Sequence, residues 1–222
     1  MDKGTLSVMK ILFLHTLASN IALFKPLAAE RFPQHDLHHD LQEDFLTDIR
    51  KYGQNTMSTQ AIHDYLNTQI NMGMDYIVCT CSTLGPVVDS FPSECVFRVD
   101  KPMAQLCKHY QTMLVLVTLE STIEPTRQLL ESQSNSTNFV FQLIEGAWEH
   151  YASGDVDAFN QCIVDGVGVS LRQDHSFQAI VLAQASMMSA APLISKDLQL
   201  SNVIPVLTSP EICLSYLAEH LN

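Results

Sequence analysis

The sequence predicts an α/β protein built as two pseudo-symmetric lobes, each a mostly parallel sheet flanked by helices. Two observations lead to this prediction. Apolar runs of about four to eight residues, typical of buried parallel strands, alternate with segments of helical periodicity along the 222 residues. The strand-and-turn patterns of the first half also recur, in the same order, in the second half. We expect an N-terminal lobe over 1–100 plus 208–222 and a C-terminal lobe over 101–207.

Three pairs of segments carry the internal repeat. In each pair an apolar strand is followed by a similar turn, and the order of the pairs is kept. The matched segments are 9–19 with 113–121, 77–82 with 181–186, and 96–102 with 204–210. The second match places Cys81 opposite Ala185 in the alignment of the two halves.

The first half begins with an apolar run over 9–15 that predicts the first strand. A short signal sequence is the less favoured interpretation, because His15 and Asn20 interrupt the apolar run. The following patterns predict a helix over 21–31 interrupted at Pro26, a short strand and loop over 32–40, and a helix over 44–52. A further helix over 60–72 is expected to be capped by Ser58 or Thr59.

The later elements follow the same alternation. After the strand that leads to Cys81, the sequence predicts a strand over 95–99 and a helix opened by Pro102. The second half adds a strand over 138–144, helices over 145–151 and 155–172, and a closing helix over 211–221. Residues 132–137 form a polar loop in this prediction.

Composition excludes several function classes. The chain has 12 basic and 24 acidic residues and a net charge of −12, which argues against nucleic acids and anionic membrane surfaces as partners. No apolar stretch is long enough to span a membrane. The six cysteines show no framework spacing and predict free thiols in a reducing compartment, the cytoplasm. No cofactor is predicted, and the histidines at 35, 38 and 39 favour a solvated turn over a metal site.

The stretch 75–86 combines an apolar strand with a cysteine at the turn that ends it. Cys79 lies within the apolar run and is predicted to be a core residue. Cys81 is followed by Ser82, Thr83 and Gly85, which turn the backbone at the strand end. Ligands of open α/β sheets bind outside the carboxyl ends of the strands, and amide dipoles there stabilise a thiolate. The sequence therefore predicts Cys81 as a reactive thiol.

Four motifs in order resemble the cofactor-independent aspartate/glutamate racemase superfamily, which includes glutamate, aspartate and hydantoin racemases, maleate isomerase and arylmalonate decarboxylase. The resemblance extends over about residues 8 to 220. The stretch 78–83 stands in the place of the family's first Cys-Asn-Thr turn, and 182–186 stands where the family carries Gly-Cys-Thr. The other two motifs are 14–16 after the first strand and 117–122 after the fifth.

The resemblance implies an active site between the two lobes, with two thiols on opposite faces of a substrate α-carbon. Cys81 takes the position of the first thiol. The substrate is expected to be a small carboxylate, held by hydroxyl and amide groups of the strand-end turns. The expected substrate-binding residues are Thr16, Ser82, Thr83, Thr118, Ser121, Thr122 and Ser186.

One departure from the family pattern limits the expected chemistry. Ala185 stands at the expected position of the second thiol, so the usual two-base racemisation lacks one proton donor. His15 and Glu43 are the candidates for a substitute acid or base. The expected function is racemase-like α-proton chemistry with Cys81 as the single thiol. The alternatives are decarboxylation or cis–trans isomerisation of a small diacid, and binding of a small carboxylate without catalysis. A homodimer is left open.

Overall fold

The structure is a computed structural model that describes residues 7–174, 176–197 and 204–221. The strands within these described residues are β1 (Lys10–His15), β2 (Asp36–Leu41), β3 (Tyr76–Cys79), β4 (Val96–Arg98), β5 (Thr112–Val117), β6 (Asn138–Leu143), β7 (Ala179–Leu182) and β8 (Val206–Thr208). Its helices are α1 (Ala18–Arg31), α2 (Glu43–Tyr52), α3 (Thr56–Asn71), α4 (Gly85–Asp89), α5 (Lys101–Cys107), α6 (Glu120–Gln133), α7 (Ala147–Ser153), α8 (Val156–Gln173), α9 (Ala191–Asp197) and α10 (Ser209–His220).

The chain divides into two compact units, 1–99 with 213–222 and 100–212. Each unit has one four-stranded parallel sheet, ordered β2-β1-β3-β4 in the first and β6-β5-β7-β8 in the second. The predicted fold class, two α/β lobes with parallel sheets, is thereby confirmed. The expected lobe boundary near residue 208 differs in detail, because 208–212 fall in the second unit.

The apolar runs form the central strands because both faces of each sheet are covered. The side chains of β1 from Ile11 onward and of β5 from Met113 onward are buried, as expected for the middle strands of a parallel sheet. The edge strand β2 is mostly half-buried, which matches its polar composition. His38 and His39 lie within this strand, whereas the sequence favoured a solvated turn for them.

Two helix predictions need correction. Helix α1 starts at Ala18 and continues through Pro26 to Arg31, so the proline does not interrupt it. Pro26 and Ala22 are both exposed, so water can hydrogen-bond the Ala22 carbonyl that lacks its usual N–H partner. Helix α3 starts at Thr56, with Asn55 rather than Ser58 or Thr59 as its N-cap. The Asn55 side chain accepts from the Ser58 N–H, and Ser58 Oγ accepts from the Asn55 N–H, each at 3.0 Å.

Each unit has its own apolar core on the faces of its sheet. In the first unit the largest cluster joins strand residues such as Leu14 and Ile77 to Leu66 of α3 and Leu84. In the second unit one cluster lies under α8 and another under α5 and α6. Among the helices of the described ranges, none is long and apolar enough to cross a membrane.

Candidate active site

Cys81 lies just beyond the carboxyl end of β3, where the sequence places the reactive thiol. Its backbone is extended, with φ −111° and ψ 111°, and it precedes a short 3₁₀ turn over Ser82–Leu84. The Leu84 N–H donates to the Cys81 carbonyl at 3.2 Å and closes this turn. Cys81 is 9% exposed, whereas Cys79 is fully buried in the core. Cys81 therefore borders the core and still reaches the surface at the strand end.

A buried arginine lies behind the Cys81 turn. Arg98, the last residue of β4, is only 1% exposed. Its Nη1 donates to Asp89 Oδ2 at 3.2 Å, and its Nη2 donates to the Ser82 carbonyl at 3.5 Å. A Cβ added at Gly85 would overlap the Arg98 guanidinium, so only glycine leaves room for it. Sequence reasoning missed this contact, although a charged residue inside the apolar run 96–99 is a signal that could have revealed it.

His15 lies at the end of β1 in a buried polar chain that leads to the residue before Cys81. Its Nδ1 is 2.9 Å from Thr80 Oγ1, and its Nε2 is 3.0 Å from His39 Nδ1. The Thr80 hydroxyl donates to the Leu14 carbonyl, and Asn20 Nδ2 donates to the Thr80 carbonyl. Burial, followed by the neighbouring His39, lowers the pKa of His15 to about 3. His15 is therefore neutral at physiological pH, with both ring nitrogens engaged in hydrogen bonds, which favours a structural role over the expected acid/base role.

The remaining expected residues of the first unit differ in their environments. Thr16 is 1% exposed, and its hydroxyl has no hydrogen-bond partner among the residues that the structure describes. Buried hydroxyls without a partner are uncommon in native proteins, and those of Thr126 and Ser209 are in the same state here. Ser82 and Thr83 are half-buried in the 3₁₀ turn. Glu43 is exposed at the first residue of α2, where a carboxylate stabilises the helix N-terminus.

The second unit repeats the strand-end geometry, and the repeat identifies the residue equivalent to Cys81. In the first sheet Leu14 of β1 is paired with Cys79 of β3, and in the second sheet Leu116 of β5 is paired with Leu182 of β7. Cys79 is therefore equivalent to Leu182. Counting two residues onward from each strand end gives Cys81 and Gln184.

Backbone hydrogen bonds confirm this equivalence. The residue after each strand, Thr80 or Ala183, donates its N–H back to the neighbouring strand, at Leu14 or Leu116. The next carbonyl, that of Cys81 or Gln184, accepts from the N–H three residues on and closes a 3₁₀ turn in both units. Within the internal repeat the structure therefore matches Cys81 with Gln184, whereas the sequence alignment of the two halves matched it with Ala185. Both units bury the third residue of the turn, Leu84 or Met187. The sequence could not select this alignment, because Met188 would match Leu84 equally well in the alternative one.

The third pair of repeat segments is also shifted. Val96 of β4 is paired with Ile77 of β3, while Val206 of β8 is paired with Ile180 of β7. The expected match of Val96 with Ile204 is therefore wrong by two residues. Short apolar strands of similar composition leave this register undetermined in the sequence.

Gln184, the internal counterpart of Cys81, carries a neutral carboxamide. It is 9% exposed, and its Oε1 accepts from the Thr118 N–H at 2.6 Å and from the Thr118 hydroxyl at 3.0 Å. A carboxamide does not exchange protons as an acid or base at physiological pH. Ala185 is the first residue of the following 3₁₀ turn and is also buried.

The other expected residues of the second unit lie around the same strand ends. Thr118 is buried, and its hydroxyl hydrogen already bonds to Gln184, so its remaining capacity is as an acceptor. Ser121 is exposed in the first turn of α6, and Thr122 beside it is buried. Ser186 is half-buried in the 3₁₀ turn. Within the described ranges, no three His, Cys, Asp or Glu side chains are grouped so as to hold a metal ion.

Comparison with solved structures identifies the fold. Glutamate racemase from Francisella tularensis, solved in complex with D-glutamate, has a TM-score of 0.70 at 13% identity, covering 96% of this chain and 81% of that one. Aspartate racemase from Picrophilus torridus has a TM-score of 0.68 at 15% identity, covering 97% and 94%. Unliganded arylmalonate decarboxylase has a TM-score of 0.57 at 11% identity, covering 97% and 93%.

At the level of sequence, no protein-family model and no curated protein matches the chain. The structural similarity nevertheless spans nearly the whole chain in all three comparisons. The protein therefore has the same two-lobed α/β fold as these two racemases and arylmalonate decarboxylase, which is the fold that the ordered motifs predicted.

Proposed function

We propose that the protein is a racemase-like enzyme that performs cofactor-independent α-proton chemistry on a small carboxylate, with Cys81 as its single thiol acid/base. The observation that carries the proposal is the position of Cys81 beyond β3, at the start of a turn closed by its own carbonyl, where the residue keeps 9% exposure at the edge of the core. The fold shared with glutamate and aspartate racemases supports the proposal of racemase-like chemistry. The nearby cysteine, Cys79, is fully buried in the core.

The proposed reaction is a reversible proton transfer at the carbon next to the carboxylate. The Cys81 thiolate removes the α-proton and becomes a thiol, and the electron pair of the broken C–H bond delocalises into the carboxylate as an enediolate. Hydroxyl and backbone N–H groups near the strand ends stabilise the added negative charge, with Thr16, Ser82 and Thr83 as the proposed donors in the first unit. The thiol then returns a proton to the same carbon.

A single thiol acid/base gives this chemistry a defined stereochemical consequence. In the internal repeat the residue equivalent to Cys81 is Gln184, whose carboxamide is neither an acid nor a base at physiological pH. The proton therefore leaves and returns on one face of the α-carbon. In heavy water the substrate takes up deuterium with retention of configuration.

Deuterium uptake at the α-carbon tests the role of Cys81. The protein is incubated in heavy water with small amino acids and hydroxy acids, and loss of the α-proton signal is followed by NMR. The variant Cys81→Ser is expected to lose at least about 100-fold in exchange rate, because a serine hydroxyl is a far weaker acid/base than a thiol. Cys95→Ser is the matched control, because Cys95 is exposed and lies outside the turn.

Three results would count against the proposal. Full exchange by Cys81→Ser would remove Cys81 from the chemistry. An equal loss in Cys95→Ser would point to a general effect of thiol replacement. Carboxylate binding without exchange on the whole panel would favour the non-catalytic alternative.

Decarboxylation of a small diacid is a second candidate, and the carboxamide of Gln184 at the internal position equivalent to Cys81 favours it. Loss of carbon dioxide leaves an enediolate that needs one proton from one face, so a single thiol suffices. The similarity to arylmalonate decarboxylase supports this candidate at the level of fold. Release of carbon dioxide from substituted malonates, abolished in Cys81→Ser, would select it over α-proton exchange of amino acids.

A further inference from the structure

We propose that Asp40 is a specificity-determining residue whose carboxylate binds the α-ammonium group of an amino-acid substrate. The inference rests on the proposed function and deepens it, because it names the class of small carboxylate that is bound. The residues that carry it all belong to the first unit.

Asp40 lies near the carboxyl end of the edge strand β2, on the same face of the sheet as Cys81. Leu14 of β1 is paired with Asp40 on one side and with Cys79 on the other. Paired residues of neighbouring parallel strands project to the same face, and so do residues two positions apart along one strand. Cys81 follows Cys79 by two residues and packs in the same apolar cluster as Leu14 and Cys79.

The distance across the sheet suits a ligand of a few atoms. β1 lies between β2 and β3, and neighbouring strands are about 4.8 Å apart, so β2 and β3 are separated by about 10 Å. Thr16 follows β1 between them, and its buried hydroxyl has no partner among the described residues. An amino acid over the end of β1 can therefore offer its carboxylate to Thr16, its α-carbon to Cys81 and its ammonium group to Asp40.

Two donors hold one oxygen of the Asp40 carboxylate. The Tyr65 hydroxyl donates to Asp40 Oδ2 at 2.6 Å, and Gln42 Nε2 donates to the same atom at 3.1 Å. Burial, followed by the hydrogen bond to Asp40, raises the pKa of Tyr65, so the phenol keeps its proton and remains a donor. The carboxylate is therefore fixed before a ligand binds, which reduces the entropy that binding costs.

The other oxygen of the carboxylate, Oδ1, has unused acceptor capacity. Within the part of the chain that the structure describes, no residue donates to Asp40 Oδ1 and no Lys or Arg forms an ion pair with Asp40. Asp40 is half-buried, and Oδ1 is not among the fully buried polar atoms that lack a partner, so solvent reaches it.

The histidines near Asp40 do not supply the missing positive charge. Burial, followed by the neighbouring His39, lowers the pKa of His15 to about 3 despite the opposing effect of Asp40. Burial also lowers the pKa of His39. Both rings are therefore neutral at physiological pH, and a half-buried carboxylate without a cationic partner suits a cationic group of the ligand.

An α-ammonium group matches this carboxylate better than an α-hydroxyl group does. A hydrogen bond between an ammonium and a carboxylate is about twice as strong as one between neutral groups. The ammonium charge also stabilises the negative charge that forms when Cys81 removes the α-proton. Hydroxy acids and malonates lack this group, so Asp40 favours amino acids over both.

The variant Asp40→Asn separates the charge from the structural link. An asparagine keeps an oxygen that accepts from Tyr65 and Gln42, but it replaces the negatively charged Oδ1 with a neutral NH₂ donor. The matched control is Asp48→Asn, which makes the same chemical change at an exposed position of α2.

The assay compares ligands that share a carbon skeleton, namely aspartate with malate and glutamate with 2-hydroxyglutarate, each as both enantiomers. Dissociation constants come from calorimetry, α-exchange from NMR in heavy water, and melting temperatures from thermal unfolding. We expect wild type and Asp48→Asn to bind the preferred amino acid at least about 10-fold more tightly than its hydroxy acid. Asp40→Asn should lose this preference through weaker binding of the amino acid, whereas a purely structural Asp40 would affect both ligands of a pair alike.

The outcomes separate this site from the proposed function. Equal affinity of the wild-type protein for amino acid and hydroxy acid overturns the ammonium site, and so does an unchanged preference in Asp40→Asn. In either case, exchange that depends on Cys81 leaves the proposed function standing. Binding of amino acids that depends on Asp40, without exchange, overturns the proposed function and leaves the ammonium site. Absence of binding on the whole panel overturns both.

Discussion

His15 and Cys81 show how the ends of two neighbouring strands, β1 and β3, hold two ionisable residues with different roles. Cys81 is buried but keeps 9% exposure, whereas His15 is fully buried and hydrogen-bonded to Thr80 and His39. Sequence alone made both candidates for acid/base work, since each follows an apolar strand. Burial separates them, because the pKa of His15 falls to about 3 and the ring stays neutral.

The lowered pKa of His15 predicts an acid-sensitive fold. Below its ordinary value of 6.5 the unfolded chain binds a proton at this residue that the folded chain does not bind until pH about 3. The contribution of His15 to stability is therefore complete above pH 6.5 and declines as the pH falls towards 3. The slope is about 1 kcal/mol per pH unit, and the lowered pKa of His39 acts in the same direction.

Urea denaturation between pH 7.5 and 4 measures this dependence. His15→Gln should show a shallower decline in the free energy of unfolding than wild type. His109→Gln is the matched control, because His109 is exposed, and it should keep the wild-type slope. Parallel curves for wild type and His15→Gln would contradict the assignment.

Predictability from sequence also differs between residues. Cys81 could be found because an apolar run, a thiol and two hydroxyl residues stand together in the chain. Gln184 could not be assigned with the same security, because its position depends on the strand register of the second sheet. A shift of one residue exchanges Ala185 for Gln184, and only the backbone hydrogen bonds decide between them.

At the scale of elements, the turn after β3 depends on a close contact with β4. Helix α4 begins at Gly85 directly after the 3₁₀ turn, and the Arg98 guanidinium packs against that glycine. A positive φ is not the reason for glycine here, since Gly85 has φ −48°. The missing Cβ provides the space that the guanidinium occupies.

Gly85→Ala should therefore destabilise the protein by about 1–3 kcal/mol, the usual cost of forcing extra atoms into a packed site. The added Cβ should also displace the turn that carries Cys81, and this displacement should lower the α-exchange rate assigned to Cys81. Chemical denaturation measures the first effect and NMR in heavy water the second.

A double-mutant cycle tests the steric cause. In an Arg98→Ala background the guanidinium is gone, so adding Gly85→Ala should cost much less than it does in wild type. An equal cost in both backgrounds would show that the clash with Arg98 is not the reason.

Element prediction succeeded where periodicity was strong and failed at boundaries set by local chemistry. The strands and most helices follow from apolar runs and helical spacing. Pro26 was expected to interrupt a helix, but its exposed position lets α1 continue. Asn55 was overlooked as the N-cap of α3, because Ser58 and Thr59 offered equally good capping chemistry in the sequence.

At the scale of the whole molecule, the two units share one plan and differ in their strand-end residues. Both sheets have the same strand order and both close a 3₁₀ turn after the third strand in chain order. The equivalent residues are a thiol in one unit and a carboxamide in the other. The internal repeat made the fold predictable from sequence, while the chemical asymmetry required the registers of both sheets.

Enantiomer-resolved deuterium exchange is the most direct test of a single-thiol enzyme. Each enantiomer of the substrate is incubated separately with the wild-type protein in heavy water, and α-deuteration and configuration are both measured. We predict that one enantiomer takes up deuterium with retention, that the other does not, and that Cys81→Ser abolishes the uptake. Deuteration of both enantiomers by the wild-type protein, or accumulation of the opposite enantiomer, would contradict it.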